Sequence, residues 1–113
     1  NNKKIYINNG NQFRDFLYID DLCKIIDLLI KNRNKKFNSI LNISSQNYIK
    51  LCTIPKIIEK ILKKKINYDV KINVNSNINL LNSNKKLLTI FPNIKFTNFY
   101  KGLTKTLKKE GII

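Results

Sequence analysis

The stretch that decides the fold is Gly10-Asn11-Gln12-Phe13-Arg14-Asp15-Phe16-Leu17-Tyr18-Ile19-Asp20-Asp21-Leu22. It opens on turn-forming residues, continues as an alternating strand, and ends on two carboxylates at the start of an amphipathic run. Acidic side chains suit that position, because the free N–H groups of a helix N-terminus attract negative charge. Arg14 is the unusual residue, since a purely structural strand favours Val or Thr between aromatics.

Two roles for Arg14 are equally supported by its residue type. A guanidinium on a strand beside a turn can hold a phosphate through two parallel hydrogen bonds, which lysine does less well. It can also form an ion pair with a nearby carboxylate, Asp15, Asp20 or Asp21. Arg14 is one of 2 arginines in a chain with 20 lysines, which favours a geometric need for arginine at this position.

The neighbouring residues predict a β-hairpin followed by a helix. Lys4 to Ile7 alternates as a short strand, Asn8 to Asn11 is a strong turn signal, and Gln12 to Ile19 is predicted to be the returning strand. The next apolar residues have helical spacing up to Lys31–Asn32: Leu22, Ile25, Ile26 and Leu29.

The remaining sequence predicts short strands that alternate with helices, an α/β mixture in one region, residues 1–113. The expected strands are Phe37–Ile43, Tyr48–Leu51 and Ile66–Ile72, with a loop over Asn73–Asn79. Phe37–Ile43 is apolar at most positions, so it is predicted to need strands on both sides, as part of a larger sheet.

Three helices are predicted in the same region. The first runs from Ile54 to Leu62, with Thr53 as its N-cap and Pro55 in its first turn. The second is capped by Asn82 or Ser83 and ends at Ile90. The third is capped by Thr97, buries one face and stops at Gly111.

The net charge of +15 suggests nucleic-acid binding, but its distribution does not favour that function. Lysines run from Lys3 to Lys109 without concentrating at one point, and sequence-specific base contacts depend on arginine. Asn, Lys and Ile make up about half of the chain, which indicates a general bias in residue usage. No apolar run could span a bilayer and no signal peptide is visible, so we expect a cytoplasmic protein without membrane contact.

Composition excludes several kinds of catalytic site. Without histidine, the chain cannot form a Ser-His-Asp or Cys-His nucleophile system, and two cysteines alone make no zinc site. Its three glycines are isolated, so it has no P-loop and no dinucleotide-binding loop. Cys23 and Cys52 lie beside apolar residues and are expected to be buried, reduced thiols. No catalytic residue and no metal ligand is predicted.

The pattern from Gly10 through Arg14-Asp15-Phe16-Leu17-Tyr18-Ile19-Asp20-Asp21 resembles the RDF-(I/L)-(Y/H)-V-x-D segment of extended short-chain dehydrogenases/reductases. These are NAD(P)-dependent epimerases, dehydratases and reductases of nucleotide sugars. Later segments resemble the family in the same order, and among them Tyr48 to Ile61 resembles its next helix. Asn42-Ile43-Ser44-Ser45 is similar to its "NIGSG" loop, with Ser44 for Gly. Asn82-Ser83-Asn84-Lys85 is similar to "D-x-S-K", with Asn82 for Asp, and Phe99 to Thr106 is similar to its closing "LEEGLxxT" helix.

This resemblance implies the C-terminal, substrate-binding portion of a Rossmann-type enzyme, with the N-terminal dinucleotide-binding part missing. The family's GxxGxxG loop and Tyr-x-x-x-Lys pair lie in that part and are absent here. NAD or NADP would be bound by the full-length parent and not by this chain alone, which we expect to be inactive by itself. The resemblance is also compatible with a homodimer of the full enzyme.

The resemblance further implies that Arg14 contacts the diphosphate of the nucleotide-sugar substrate. Gly10, Tyr18, Asp21 and Asn42 are expected to support this site structurally. Two rival hypotheses are a small basic module that binds nucleic acid and an inactive fold fragment. Binding of RNA or DNA that falls steeply with salt would favour the first of these.

Overall fold

Short strands alternate with helices along the chain. The computed structural model describes residues 3–34, 40–73 and 79–113. Its elements are β1 (Ile5–Ile7), β2 (Phe13–Asp15), α1 (Ile19–Lys31), β3 (Tyr48–Lys50), α2 (Ile54–Leu62), β4 (Tyr68–Val70), α3 (Lys85–Ile90) and α4 (Phe99–Lys109). This confirms the predicted mixed α/β class.

The predicted hairpin is wrong, because the strands on either side of the turn pair with other strands. β1 runs parallel to β4, with Ile5 opposite Tyr68. β2 runs antiparallel to β3, with Phe13 opposite Lys50. The turn itself does form, since the Gln12 N–H donates to the Asn9 carbonyl at 2.9 Å.

The two strands beside the turn do not pair with each other because the backbone of Gly10 forms hydrogen bonds with two distant parts of the chain. Its N–H donates to the Lys71 carbonyl at 3.0 Å, and its carbonyl accepts from the Cys52 N–H at 2.9 Å. The chain entering the turn is therefore held beside β4, and the chain leaving it is held beside β3. Turn chemistry is local, whereas these partners are more than 40 residues away in sequence.

The hydrophobic core lies between α1 and the segment that begins with α3. α1 starts at Ile19, earlier than the apolar run predicted, with Asp20 and Asp21 in its first turn as expected. Ile25 is buried against Leu87 and Phe91. Partly buried residues complete this cluster: Leu28, Leu29, Ile43, Ile90, Ile94 and Phe96.

The start of α2 is confirmed, with Thr53 before Ile54 and Pro55 in the first turn. The Thr53 hydroxyl, however, donates to the Lys50 carbonyl at 2.7 Å and forms no capping bond. Asn84 directly precedes α3, while the hydroxyl of the predicted Ser83 accepts from the Lys85 N–H at 3.3 Å. The Asn84 amide donates to the Ser44 carbonyl at 2.9 Å, so long-range packing also holds this start.

Two predicted segments lie partly outside the described residues. The strand Phe37–Ile43 includes residues 37–39, and the loop Asn73–Asn79 includes residues 74–78. Within the described part, residues 40–43 form no strand, and Ile40 is exposed.

Much apolar surface is uncovered in this structure. The radius of gyration is 17.1 Å, against about 13 Å for a compact domain of this length.

The two cysteines differ in exposure, and both are free thiols. Cys23 is exposed on α1, so the prediction of a buried thiol is wrong there, whereas Cys52 is half-buried. Across 3–34, 40–73 and 79–113, no helix is long and apolar enough to cross a membrane.

We expect Gly10→Ala to destabilise the fold, because a Cβ at this position would lie 2.2 Å from Val70 Cγ1. Overpacking of this kind typically costs about 1–3 kcal/mol, and chemical denaturation measures it. The matched control is the double variant Gly10→Ala/Val70→Ala, which removes the clashing methyl group. If Gly10→Ala destabilises the natural chain and the Val70→Ala variant by the same free energy, the steric explanation is contradicted.

Candidate functional site

Arg14 lies at the centre of β2 with a strand segment on each side. It is opposite Ile49 of β3, and its backbone forms an isolated parallel bridge to Leu80. Its side chain is half-buried, and one guanidinium nitrogen donates to the Phe13 carbonyl at 2.9 Å. The other terminal nitrogen donates to the side-chain oxygen of the buried Gln12. These bonds fix the plane of the guanidinium, as a bidentate anion contact requires.

The three carboxylates considered as partners of Arg14 bind elsewhere. Asp15 accepts hydrogen bonds from Ser44 and Ser45. Asp20 pairs with Lys109 at 3.1 Å. Asp21 accepts a hydrogen bond from Thr97. Each of the three carboxylates therefore has a partner other than Arg14.

The loop after residue 43 binds Asp15 through two adjacent serines. Ser45 Oγ lies 2.7 Å from Asp15 Oδ1 and 2.7 Å from the Phe16 carbonyl. Ser44 Oγ donates to the other oxygen of Asp15 and lies 3.0 Å from the Asn82 carbonyl. Sequence reasoning missed both serines as site residues. Their position in the loop that resembles "NIGSG" was the available signal.

Asp21 connects the start of α1 to the segment before α4. It is 3% exposed, and its carboxylate accepts from the Thr97 N–H at 2.6 Å and the Thr97 hydroxyl at 3.0 Å. Because Thr97 is held in this way, the prediction that it caps α4 is wrong. Asn98 is the cap, and its side-chain oxygen accepts from the Lys101 N–H at 2.9 Å.

Tyr18 packs its ring against α4. A Cβ at Gly102 would lie 3.3 Å from Tyr18 Cδ2, so this glycine allows the close approach. Lys105 Nζ and Lys109 Nζ lie 5.3 and 5.9 Å from the ring centroid, within cation–π range. Burial, followed by the neighbouring Asp20 carboxylate, raises the pKa of Tyr18. The hydrogen bond from Lys109 lowers the pKa of Asp20.

The other two predicted supporting residues lie in different places. Gly10 is buried in the turn, between Val70 and Cys52. Asn42 is exposed in the segment that leads to Ser44. Their roles, like that of Arg14, stay predictions.

An apolar cavity of about 280 Å³ is lined by the residues that follow β2 and by part of α4. Phe16 and Phe99 form part of its wall, with ring centroids 4.8 Å apart. Its other lining residues are Leu17, Tyr18, Ile54, Thr97, Asn98, Gly102, Leu103 and Thr106. Such a lining suits an apolar group and gives no charged contact.

Among the residues that the structure describes, the glycines do not form a dinucleotide cradle. Such a cradle needs clustered glycines at a helix N-terminus, so that backbone N–H groups can approach a pyrophosphate. Here Gly10 lies in a turn against Val70, and Gly102 lies within α4 against Tyr18. In the described ranges, no three His, Cys, Asp or Glu side chains come together as a metal site.

The geometry therefore defines a mixed α/β unit with an oriented, half-buried arginine. The sequence model of the NAD dependent epimerase/dehydratase family matches residues 1–44. That range contains β1, β2 and α1, and with them Arg14. No curated protein matches the chain. The match supports the family resemblance for these residues, and the resemblance of the later segments stays a prediction.

We expect Asp21→Ala to destabilise the fold by about 1–3 kcal/mol, because it leaves the Thr97 N–H and hydroxyl without their acceptor. Chemical denaturation measures the loss. Asp27→Ala is the matched control on the same helix, where an exposed i,i+4 pair with Lys31 at 2.7 Å contributes only about 0.5 kcal/mol or less. Equal losses for the two variants would contradict the assignment.

The Asp20–Lys109 contact predicts that stability falls at both ends of the pH range. The lowered pKa of Asp20 gives stability above about pH 4 that is lost as the pH falls through that pKa. The pKa of Lys109, raised first by its hydrogen bond with Asp20, gives stability below about pH 10 that is lost as the pH rises through that pKa. Thermal unfolding of the natural chain and of Lys109→Gln should differ most near neutrality, and a difference independent of pH would disprove this.

Proposed function

We propose that this chain is the substrate-binding part of an NAD(P)-dependent epimerase, dehydratase or reductase of nucleotide sugars. Arg14 would hold the diphosphate of the substrate. The dinucleotide-binding part would be supplied by sequence outside these 113 residues. When bound there, NAD(P) would supply hydride transfer to or from a sugar carbon.

The observation that carries this proposal is the setting of Arg14. The family match covers it, β3 and Leu80 flank its backbone, and Gln12 and the Phe13 carbonyl orient its guanidinium. Arginine on a rigid strand suits a diphosphate, because its planar N–H groups match two phosphate oxygens. A lysine at the same position would offer a point charge without that geometry.

The chain's own contribution to the reaction would be binding and orientation. Arg14 would neutralise part of the diphosphate charge and fix one end of the substrate, so that the sugar reaches the catalytic part in a defined position. The Asp15–Ser44–Ser45 contacts would keep β2 in place while the anion binds. The apolar cavity beside Phe16 would take an uncharged portion of the substrate or of the neighbouring part of the enzyme.

In an enzyme that joins this chain to its dinucleotide-binding part, we expect Arg14→Ala to raise KM for the nucleotide sugar about 10- to 100-fold. That range corresponds to about 1.5–3 kcal/mol for hydrogen bonds to a charged group. KM for NAD(P) should change much less. Steady-state kinetics with UDP-glucose, dTDP-glucose and GDP-mannose as probes measures both constants.

Arg33→Ala is the matched control, because it removes the same charge from an exposed arginine just after α1. Arg14→Lys should fall between the natural enzyme and Arg14→Ala. Equal effects on both KM values would contradict the phosphate role. Binding that depends on salt and on many lysines, such as the group at the end of α2 (Lys56, Lys60, Lys63, Lys64 and Lys65), would favour the polyanion-binding alternative.

A further inference from the structure

We propose that Asn9 is a deamidation site that the pairing of β1 with β4 keeps unreactive in the folded chain. Asn9 and Gly10 are the chain's one Asn-Gly pair, and they lie in the turn between β1 and β2. Asparagine is a chemically labile residue. A following glycine favours its loss, because a residue without a Cβ leaves its own nitrogen open to approach. This inference concerns the turn and does not depend on the proposed function.

Deamidation at this pair needs only water. The Gly10 nitrogen bonds to Asn9 Cγ, the bond from Cγ to Nδ2 breaks, and ammonia leaves with the proton of the Gly10 N–H. Water then opens the resulting succinimide ring. Opening at Cγ gives aspartate, and opening at the main-chain carbonyl carbon gives isoaspartate, in which the backbone runs through Cγ. Because isoaspartate lengthens the turn, we expect it to prevent the return of β1 to β4.

The nitrogen that would attack is buried and hydrogen-bonded in the structure. The Gly10 N–H donates to the Lys71 carbonyl at 3.0 Å. The space around Gly10 is filled, since a Cβ there would lie 2.2 Å from Val70 Cγ1. Loss of the proton would leave a buried charge and would remove the donor of the Lys71 carbonyl, and both cost free energy. The Gly10 nitrogen is therefore a poor nucleophile while it faces Lys71.

The backbone on both sides of the Gly10 nitrogen is held as well. The Asn9 carbonyl accepts from the Gln12 N–H, and the Gly10 carbonyl accepts from the Cys52 N–H, each at 2.9 Å. Asn9 has a φ of 56°, in the left-handed region that asparagine tolerates better than most residues. The succinimide ring has no N–H, so its formation breaks the bond to Lys71. Reaction therefore requires that the turn first separates from β4.

The pairing of β1 with β4 is the part of the fold whose opening releases Gly10. Each strand has three residues, two of the three in β1 are exposed, and the described sheet has these two strands. Lys71 closes its end, because it donates to the Ile7 carbonyl at 2.8 Å and accepts from Gly10. A two-stranded pair with so little burial opens at a lower free energy than the whole fold. This opening would set the rate of deamidation.

The first test compares deamidation in the folded and the unfolded protein. The natural protein is incubated at mildly alkaline pH with and without guanidinium chloride, and chromatography with peptide mass spectrometry measures aspartate and isoaspartate at each site. We expect Asn9 to react at least about ten times more slowly when folded, since only the open fraction reacts. Asn82, which precedes Ser83 in an exposed segment, is the internal reference and should change less than about threefold. Equal rates at Asn9 in both states, or equal slowing at both sites, would overturn the proposal.

Hydrogen exchange of the Gly10 amide measures the same opening without any substitution. Exchange and deamidation both require the Gly10 N–H to leave Lys71, so folding should slow them by factors that agree within about threefold. Nuclear magnetic resonance gives the exchange rate. A rapidly exchanging Gly10 amide together with slow deamidation of Asn9 would overturn the proposal.

Two variants separate the opening of this sheet from general unfolding. Lys71→Pro removes the N–H that bonds to Ile7 and should speed the reaction of Asn9 at least about fivefold. Asp21→Ala, which breaks the contact of α1 with Thr97, is the matched control and should speed it less than about twofold. Equal acceleration by the two variants would overturn the proposal. Chemical denaturation checks that both fold, and if Lys71→Pro does not, the exchange comparison decides.

Discussion

The rest of the structure depends on the hydrogen bonds between Asp15 and the two serines of the following loop. Ser44 and Ser45 each bind one oxygen of the carboxylate, and Asn84 binds the carbonyl of Ser44. Three segments distant in sequence are joined in this way: β2, the loop after residue 43, and the start of α3. Hydrogen bonds to a charged group are stronger than those between neutral groups, so they can hold elements that pack few apolar side chains.

Asp15 and Asp21 each connect segments that are distant in sequence. Asp15 ties β2 to the middle of the chain, and Asp21 ties the start of α1 to the segment before α4 through Thr97. Arg14 lies beside the first of these points and is oriented by Gln12 and the Phe13 carbonyl. A cation held in this way binds an anion with little loss of side-chain freedom, which is the advantage of a preorganised site. The hydrogen bonds of Asp15 and the proposed phosphate contact of Arg14 thus involve adjacent residues of the same strand.

The hydrophobic core is small, and apolar side chains stay exposed beside it. The core between α1 and α3 centres on Ile25, Leu87 and Phe91. On the same helix α1, Ile19, Ile26 and Ile30 are exposed. A core of this size leaves much of the connection between elements to the hydrogen bonds of Asp15 and Asp21.

Local sequence determined the helices and the turn, because helical spacing, the acidic first turn of α1 and the Asn-Gly turn depend on residues close together in the chain. The segments that resemble the family follow its order along the chain, and the first of them lies within the family match. Strand pairing could not be predicted, because three-residue strands carry little register information and Gly10 bonds to Lys71 and Cys52. The contacts of Ser44, Ser45 and Thr97 could likewise not be predicted, since each depends on a carboxylate at least 29 residues away. Only the tertiary structure decided that Cys23 faces outward, because the helical spacing of apolar residues in α1 does not say which of them will be buried.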